Sequence, residues 1–147
     1  MTQQELKEKV LNVLNQNTEK TIPLIQNILN KIPSKAKSLN FDIFPSQESD
    51  GSFDIRASLD GPDLYVLNKS IEDIADIFEV KFTANGFEPS VPEVNQEEVD
   101  FDINDTLCLA SMDWLKSIWE NNFASTQIKT CVNSVDDFTQ LKPLWLN

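Results

Sequence analysis

The alternation of apolar and polar residues from Phe53 to Leu59 is the clearest pattern in this chain. It repeats at every second residue, which is typical of a strand that buries one face. Asp60-Gly61-Pro62 then predicts a turn, and apolar residues follow at spacings of three and four as far as Phe78. The stretch therefore predicts a strand, a tight turn and an amphipathic helix over 63–78.

Two helices are predicted ahead of this strand. Thr2 and Glu5 form a capping-box pattern before a first helix that ends near Asn17. Thr21 is predicted to cap a second helix that carries Pro23 in its first turn. The apolar stripe of this second helix consists of Ile22, Ile25, Leu29 and Ile32. We expect the pair to form an antiparallel helical hairpin.

Further strands are predicted on both sides of the anchoring stretch. Residues 41–45 begin the sheet, with Phe41 and Ile43 on its buried face. Asn85-Gly86 suits a type I′ turn, so a hairpin is expected around it. The alternation of Val99, Phe101 and Ile103 with acidic residues predicts a short strand within 88–105.

The last third of the chain predicts one long helix and two closing segments. Residues 106–122 are apolar over more than half of the helix circumference, which favours a central position for Trp114 and Trp119. Residues 128–133 and 138–146 are expected to be strands or extended segments, with Asp136-Asp137 between them. The expected fold is α+β: an N-terminal helical hairpin and an antiparallel sheet with helices packed on one face, in a single domain over 1–147.

Charge is distributed unevenly along the chain, whose net charge is −12. Residues 1–40 hold six lysines against three acidic residues, whereas 41–147 hold six basic against 21 acidic residues. An acidic surface repels nucleic acid and anionic membranes, and it attracts a basic protein surface. Met1 leads directly into the first polar helix, with no apolar signal core, so we expect a cytoplasmic protein with no membrane segment and reduced thiols.

The residues needed for common catalytic sites are missing from the sequence. There is no histidine, and Cys108 and Cys131, the only cysteines, lie in apolar patterns that predict core positions. Asp100, Asp102 and Asn104 match the first oxygen ligands of a calcium loop, but the loop lacks its central glycine and its final glutamate. Arg56, the only arginine, is expected to pair with Asp54 or Asp60 rather than to bind an anion.

One stretch resembles a known group of proteins. The run RASLDGPDLYVLNK (56–69) resembles a signature of small acidic bacterial proteins, as do the opening helix and Trp114-Leu115-Lys116-Ser117. Proteins of this kind resemble immunity proteins, which neutralise toxins of contact-dependent or polymorphic toxin systems. The resemblance implies a binding protein that is not an enzyme, and it carries no catalytic residues.

The leading hypothesis is therefore stoichiometric binding of a basic, nuclease-type toxin, with no cofactor and no metal. The surface expected to bind this partner consists of Glu93, Glu97, Glu98, Asp100, Asp102, Asp105, Asp60, Asp63, Phe101 and Tyr65. Two alternatives remain open. One is a carboxylate-dependent hydrolase that uses a divalent metal at 97–102, and the other is a nucleic-acid mimic or adaptor protein.

Overall fold

The structure is a computed structural model that describes residues 1–135 and 139–147. It confirms the predicted α+β class, because the chain forms both helices and a five-stranded sheet. The helices are α1 (Gln3–Gln16), α2 (Thr18–Lys31), α3 (Leu64–Lys69) and α4 (Ile103–Asn122). The strands are β1 (Ser38–Pro45), β2 (Phe53–Asp60), β3 (Asp76–Glu79), β4 (Lys81–Thr83), β5 (Gly86–Glu88), β6 (Lys129–Ser134) and β7 (Leu144–Trp145). The predictions for Asp136, Asp137 and Phe138 lie outside the described residues.

The five-stranded sheet has the order β3-β2-β1-β6-β7. β1 and β2 pair antiparallel over their whole length, with Pro45 opposite Phe53 and Ser38 opposite Asp60. β6 lies parallel to β1, so the sheet is mixed, whereas a wholly antiparallel sheet was predicted. The long helix α4 precedes β6 and supplies the crossover that a parallel neighbour requires.

The helix α4 packs on one face of this sheet, against β1 and β6, and α1 packs on α4, so that these elements enclose the core. Phe41 and Ile43 of β1 are buried on this face, as predicted. Trp114 and Trp119 are only 1% and 2% exposed, which confirms their predicted core position. The Trp119 ring meets Phe41 edge-on, with ring centroids 5.8 Å apart. Aromatic pairs of this geometry add stabilisation to the area that they bury.

The N-terminal helices form where predicted, but the second one begins earlier. Thr2 Oγ1 accepts the backbone N–H of Glu5 at 3.1 Å, which confirms the cap of α1. α2 begins at Thr18, directly after Asn17, so Pro23 lies inside the helix. The predicted cap at Thr21 is therefore wrong. Thr21 is instead buried, and its hydroxyl donates to the Ile77 carbonyl at 3.4 Å.

The helix predicted over 63–78 is wrong beyond Lys69. A 3-10 turn follows at Glu72–Ile74, and the chain then runs antiparallel to β2 as β3. Leu67, Ile71 and Phe78 are all buried, as their spacing required. Leu67 lies in α3, Ile71 in the turn after it and Phe78 in β3, so the spacing identified core residues but not the elements that carry them.

The side chain of Asn68 explains why α3 ends there. Its Nδ2 donates to the Leu59 carbonyl at 3.0 Å and to the Leu64 carbonyl at 2.9 Å. Its Oδ1 accepts the Leu59 backbone N–H at 2.8 Å. β3 pairs with β2 only at Asp54–Arg56, so the Asn68 amide takes the place of a strand residue beside Leu59. This bonding pattern directs the chain away from a continued helix.

Candidate functional site

A small β-hairpin lies apart from the main sheet and presents two phenylalanines. β4 and β5 pair antiparallel, which confirms the predicted hairpin, but its turn residues are Ala84 and Asn85 rather than Asn85 and Gly86. Asn85 does not have the positive φ that a type I′ turn requires, so the predicted turn type is wrong. Gly86, the first residue of β5, has φ of +97°, which glycine adopts without strain. Phe82 lies opposite Phe87, with ring centroids 5.7 Å apart in an edge-to-face arrangement. Strands of three residues cannot enclose such side chains, and Phe82 is 75% exposed.

The hairpin borders an open groove of about 580 Å³. Its lining combines the apolar residues Val80, Phe82, Phe87 and Val94 with the acidic residues Glu48, Asp50 and Glu93. We call these residues, with Ser52, the acidic hairpin groove. An exposed aromatic pair beside several carboxylates offers apolar contact area and negative charge at one place.

Local hydrogen bonds fix the loop that forms one side of the acidic hairpin groove. Asp50 Oδ1 accepts from the Ser52 backbone N–H at 2.9 Å and from its hydroxyl at 2.7 Å. The Asp50 carbonyl accepts the Val94 N–H at 3.0 Å. Gly51 has φ of +98°, and an added Cβ would lie 2.3 Å from the Pro92 carbonyl oxygen. Only glycine permits this close approach of the loop and the acidic segment.

The acidic segment continues from the groove to the start of α4. The predicted short strand over 99–103 is wrong, since Gln96–Glu98 is a 3-10 turn and Ile103 already belongs to α4. The Gln96 side chain holds this turn in place by donating to the Phe101 carbonyl at 2.6 Å and accepting the Ile103 N–H at 2.9 Å. The backbone carrying these carboxylates is therefore ordered by its own hydrogen bonds.

The predicted binding carboxylates of this segment are exposed and close in sequence to the groove. Glu93, Glu97, Glu98, Asp100 and Asp102 are exposed, and Asp105 is half-buried. None of them forms an ion pair with another described residue. Asp102 also caps α4, because its Oδ1 accepts the Asp105 N–H at 2.9 Å. Asp105 accepts a hydrogen bond from the Thr139 hydroxyl. The segment thus has several carboxylates without cationic neighbours.

The structure places the remaining predicted site residues elsewhere. Asp60 ends β2 at the far end of the sheet, and the seven residue steps from Phe53 correspond to about 23 Å. Asp63 and Tyr65 follow Asp60 in the chain, and Tyr65 lines a different groove, together with Asp42 and Phe44. One compact surface therefore does not contain all ten predicted residues.

The two aromatic candidates of the predicted surface differ in exposure. Phe101 is half-buried and packs against the core, whereas Tyr65 is 77% exposed and lies outside the acidic hairpin groove. Phe82, which was not predicted, is the exposed aromatic side chain beside the acidic segment. Its signal in the sequence is a phenylalanine within a hairpin too short to bury it.

The arrangement of ligating side chains around the site differs from that of a metal centre. Among the described residues, no three Asp, Glu, Cys or His side chains converge on a point that would hold a metal ion. α4 begins at Ile103, so the second half of the calcium-like run is helical, and Asn104 Nδ2 donates to the Ser46 carbonyl at 3.2 Å. At the neighbouring end of β2, burial raises the pKa of Asp54, against the effect of its bond from the Val80 N–H at 3.0 Å.

The ion pair expected for Arg56 is present, but its partner was predicted wrongly. Arg56 Nη1 lies 2.8 Å from Asp76 Oδ1 on β3, and Nη2 donates to the Glu72 carbonyl at 3.1 Å. Asp76 reaches Arg56 because β3 pairs with β2, which the sequence pattern did not predict. Cys108 and Cys131 are both buried, as predicted.

Comparison with known proteins adds a family but no activity. Residues 1–147 match a family described as "Family of unknown function (DUF6389)". No curated protein and no solved structure matches the chain. No helix in the described part of the chain has the length and apolar character needed to cross a membrane.

Proposed function

The chain belongs to the DUF6389 family of unknown function, and from its surface we propose that it acts by stoichiometric binding of a basic protein. The observation that supports this proposal is the acidic hairpin groove. There, the exposed Phe82 ring lies beside carboxylates that have no cationic partner among the described residues. Aromatic side chains contribute much of the energy of protein interfaces, and complementary charge speeds association.

We propose further that the basic partner is a nuclease-type toxin and that this protein is its immunity protein. Nuclease sites are cationic because they bind phosphates, so a carboxylate-rich surface is complementary to them. The groove is shallow and open, which suits a protruding side chain of a partner protein. The run 56–69 resembles a signature of small acidic bacterial proteins, and the resemblance of such proteins to immunity proteins favours the same function.

The proposal is tested by co-expression with the basic protein encoded beside this gene. Rescue of growth, together with a 1:1 complex on gel filtration, would support an immunity function. A toxin that remains fully active in the presence of a folded excess of this protein would contradict it. Association should slow steeply as salt rises, because exposed charges are screened over about 8 Å at physiological ionic strength.

Two matched pairs of variants locate the interface. Phe82→Ala should weaken binding at least about tenfold, whereas Tyr65→Ala, outside the acidic hairpin groove, should leave it unchanged. Glu93→Gln with Glu97→Gln should slow association roughly tenfold. The control Asp63→Asn with Asp73→Asn changes the same charge on exposed positions away from the groove. Equal effects of the two charge pairs would show that net charge alone drives binding and would contradict the assigned surface.

A further inference from the structure

The opposite face of the sheet carries a second groove, which the proposed function does not use. It measures about 460 Å³ and lies between α3 and the outer faces of β1 and β2. We call it the outer-face groove. Its lining side chains that matter for binding are Asp42, Phe44, Arg56, Ser58, Tyr65 and Lys69.

Two basic residues line the outer-face groove, and both already have partners. Arg56 lies directly opposite Asp42 in the β1–β2 register, yet its guanidinium pairs with Asp76 on the other side, at 2.8 Å. Lys69 Nζ lies 3.2 Å from Glu72 Oε2 and 5.7 Å from the centre of the Tyr65 ring. Neither cation neutralises Asp42.

Asp42 is therefore a carboxylate of the groove that forms no ion pair and has only neutral hydrogen-bond partners. Ser58 Oγ donates to its Oδ2 at 2.6 Å, and Asn133 Nδ2 lies 3.5 Å from its Oδ1. Burial raises the pKa of Asp42, and the charge of Asp60 acts in the same direction. A half-buried carboxylate without a positive partner is electrostatically unfavourable, and a bound cation would relieve this.

Aromatic side chains line the same groove. Phe44 of β1 is 41% exposed, and Tyr65 of α3 is 77% exposed. The Tyr65 ring already has the Lys69 ammonium 5.7 Å from its centre, so the two rings offer a ligand apolar contact area. A carboxylate beside apolar ring surface suits an ion with one positive charge and a hydrocarbon chain.

We propose that the outer-face groove binds a small alkylammonium ion, with its charged nitrogen at Asp42 and its hydrocarbon part against Phe44 and Tyr65. The volume of the groove suits a small amine. Glu72, the other carboxylate of the lining, already pairs with Lys69, so Asp42 is left for one positive charge. The site lies on the other face of the sheet from the helical core and does not share residues with the acidic hairpin groove. Its test is therefore independent of the partner-binding proposal.

The experiment is a titration of the ¹⁵N-labelled protein with n-butylamine, which is protonated at pH 7, and with uncharged n-butanol. n-Butylamine should shift amide signals around Asp42, Ser58 and Tyr65, and n-butanol should not. Binding should also lower the pKa of Asp42, measured from its ¹³C carboxyl signal. Equal shifts with the alcohol, or shifts spread over all acidic surfaces, would overturn the proposal.

Variants separate this site from general attraction to an acidic protein. Asp42→Asn keeps an oxygen to accept from Ser58 and should weaken n-butylamine binding at least about tenfold, whereas Asp63→Asn should not change it. If Asp42→Asn fails to fold, Tyr65→Ala provides the test, because this exposed ring makes little contribution to the core. Loss of the Tyr65 ring should weaken n-butylamine binding several-fold. A second probe is lysine with an acetylated α-amino group and an amidated carboxyl group, which keeps its side-chain ammonium. Binding of this probe without binding of n-butylamine would overturn the assignment to a small amine.

Discussion

Replacing Asn68 by alanine tests whether its side chain substitutes for a strand residue. The amide makes three hydrogen bonds to backbone groups, two of them to the N–H and C=O of Leu59. Leu59 is only 1% exposed. Its backbone groups therefore have poor access to water once the amide is removed. α3 would also lose the bond to the Leu64 carbonyl, which closes its last turn.

The expected cost follows from these three bonds. A hydrogen bond contributes about 1 kcal/mol net, and a buried group left unpaired costs about 1–3 kcal/mol. The Leu64 carbonyl is exposed to water, so loss of the hydrogen bond to it should cost the least of the three. We expect Asn68→Ala to lower the free energy of unfolding by roughly 2–4 kcal/mol. For a chain of this length, about 3 kcal/mol corresponds to a fall in Tm of roughly 6–12 °C.

Urea unfolding followed by tryptophan fluorescence measures this cost, because Trp114 and Trp119 are buried. The midpoint should fall without a change in the slope of free energy against urea. The matched control is Asn121→Ala on the exposed side of α4, where the amide makes one bond of 3.4 Å to Ser117. This control should change stability by less than about 0.5 kcal/mol. If Asn68→Ala costs no more than the control, the amide does not complete the edge of β2.

Three further predictions concern the core, the groove loop and the outer sheet face. Trp114 Nε1 donates to Thr18 Oγ1 at 2.9 Å, whereas Trp119 Nε1 is buried with no acceptor among the described residues. Trp114→Phe should therefore destabilise about 1 kcal/mol more than Trp119→Phe in urea unfolding, and the reverse order would contradict this. Gly51→Ala should lower the free energy of unfolding by at least about 2 kcal/mol, since it adds strain at positive φ and a Cβ 2.3 Å from the Pro92 carbonyl oxygen. An unchanged urea midpoint would refute the close approach of Gly51 to Pro92. Burial raises the folded-state pKa of Asp42 above its ordinary 3.8. Near that pH the folded protein therefore binds more protons than the unfolded chain. The contribution of Asp42 to stability consequently falls as pH rises from about 4. Asp42→Asn should therefore gain stability relative to the parent protein between pH 4 and pH 7, and a constant difference would contradict the raised pKa.

The sequence was sufficient wherever the determining interaction is local. The alternation from Phe53 to Leu59 predicts the strand and its buried face because neighbouring side chains of a strand point to opposite faces. The Thr2 cap was also predicted correctly, since it depends on residues three positions apart. The hairpin near Asn85 forms as predicted, although its turn residues are Ala84 and Asn85 and it is not the predicted type I′ turn. The core position of Trp114 and Trp119 followed from an apolar surface too wide for a helix at the protein surface.

Contacts between distant segments decided the rest. Residues 71–79 have apolar spacing that suits a helix, but the unpaired edge of β2 and the Asn68 amide make Asp76–Glu79 a strand. The partner of Arg56 followed from that strand, as did the separation of Asp60 from the acidic segment. Sequence spacing constrains which residues face the core, because that depends on backbone geometry within one element. It does not determine which element fills a free sheet edge or which charges meet across the surface, because these depend on the packing of the whole chain.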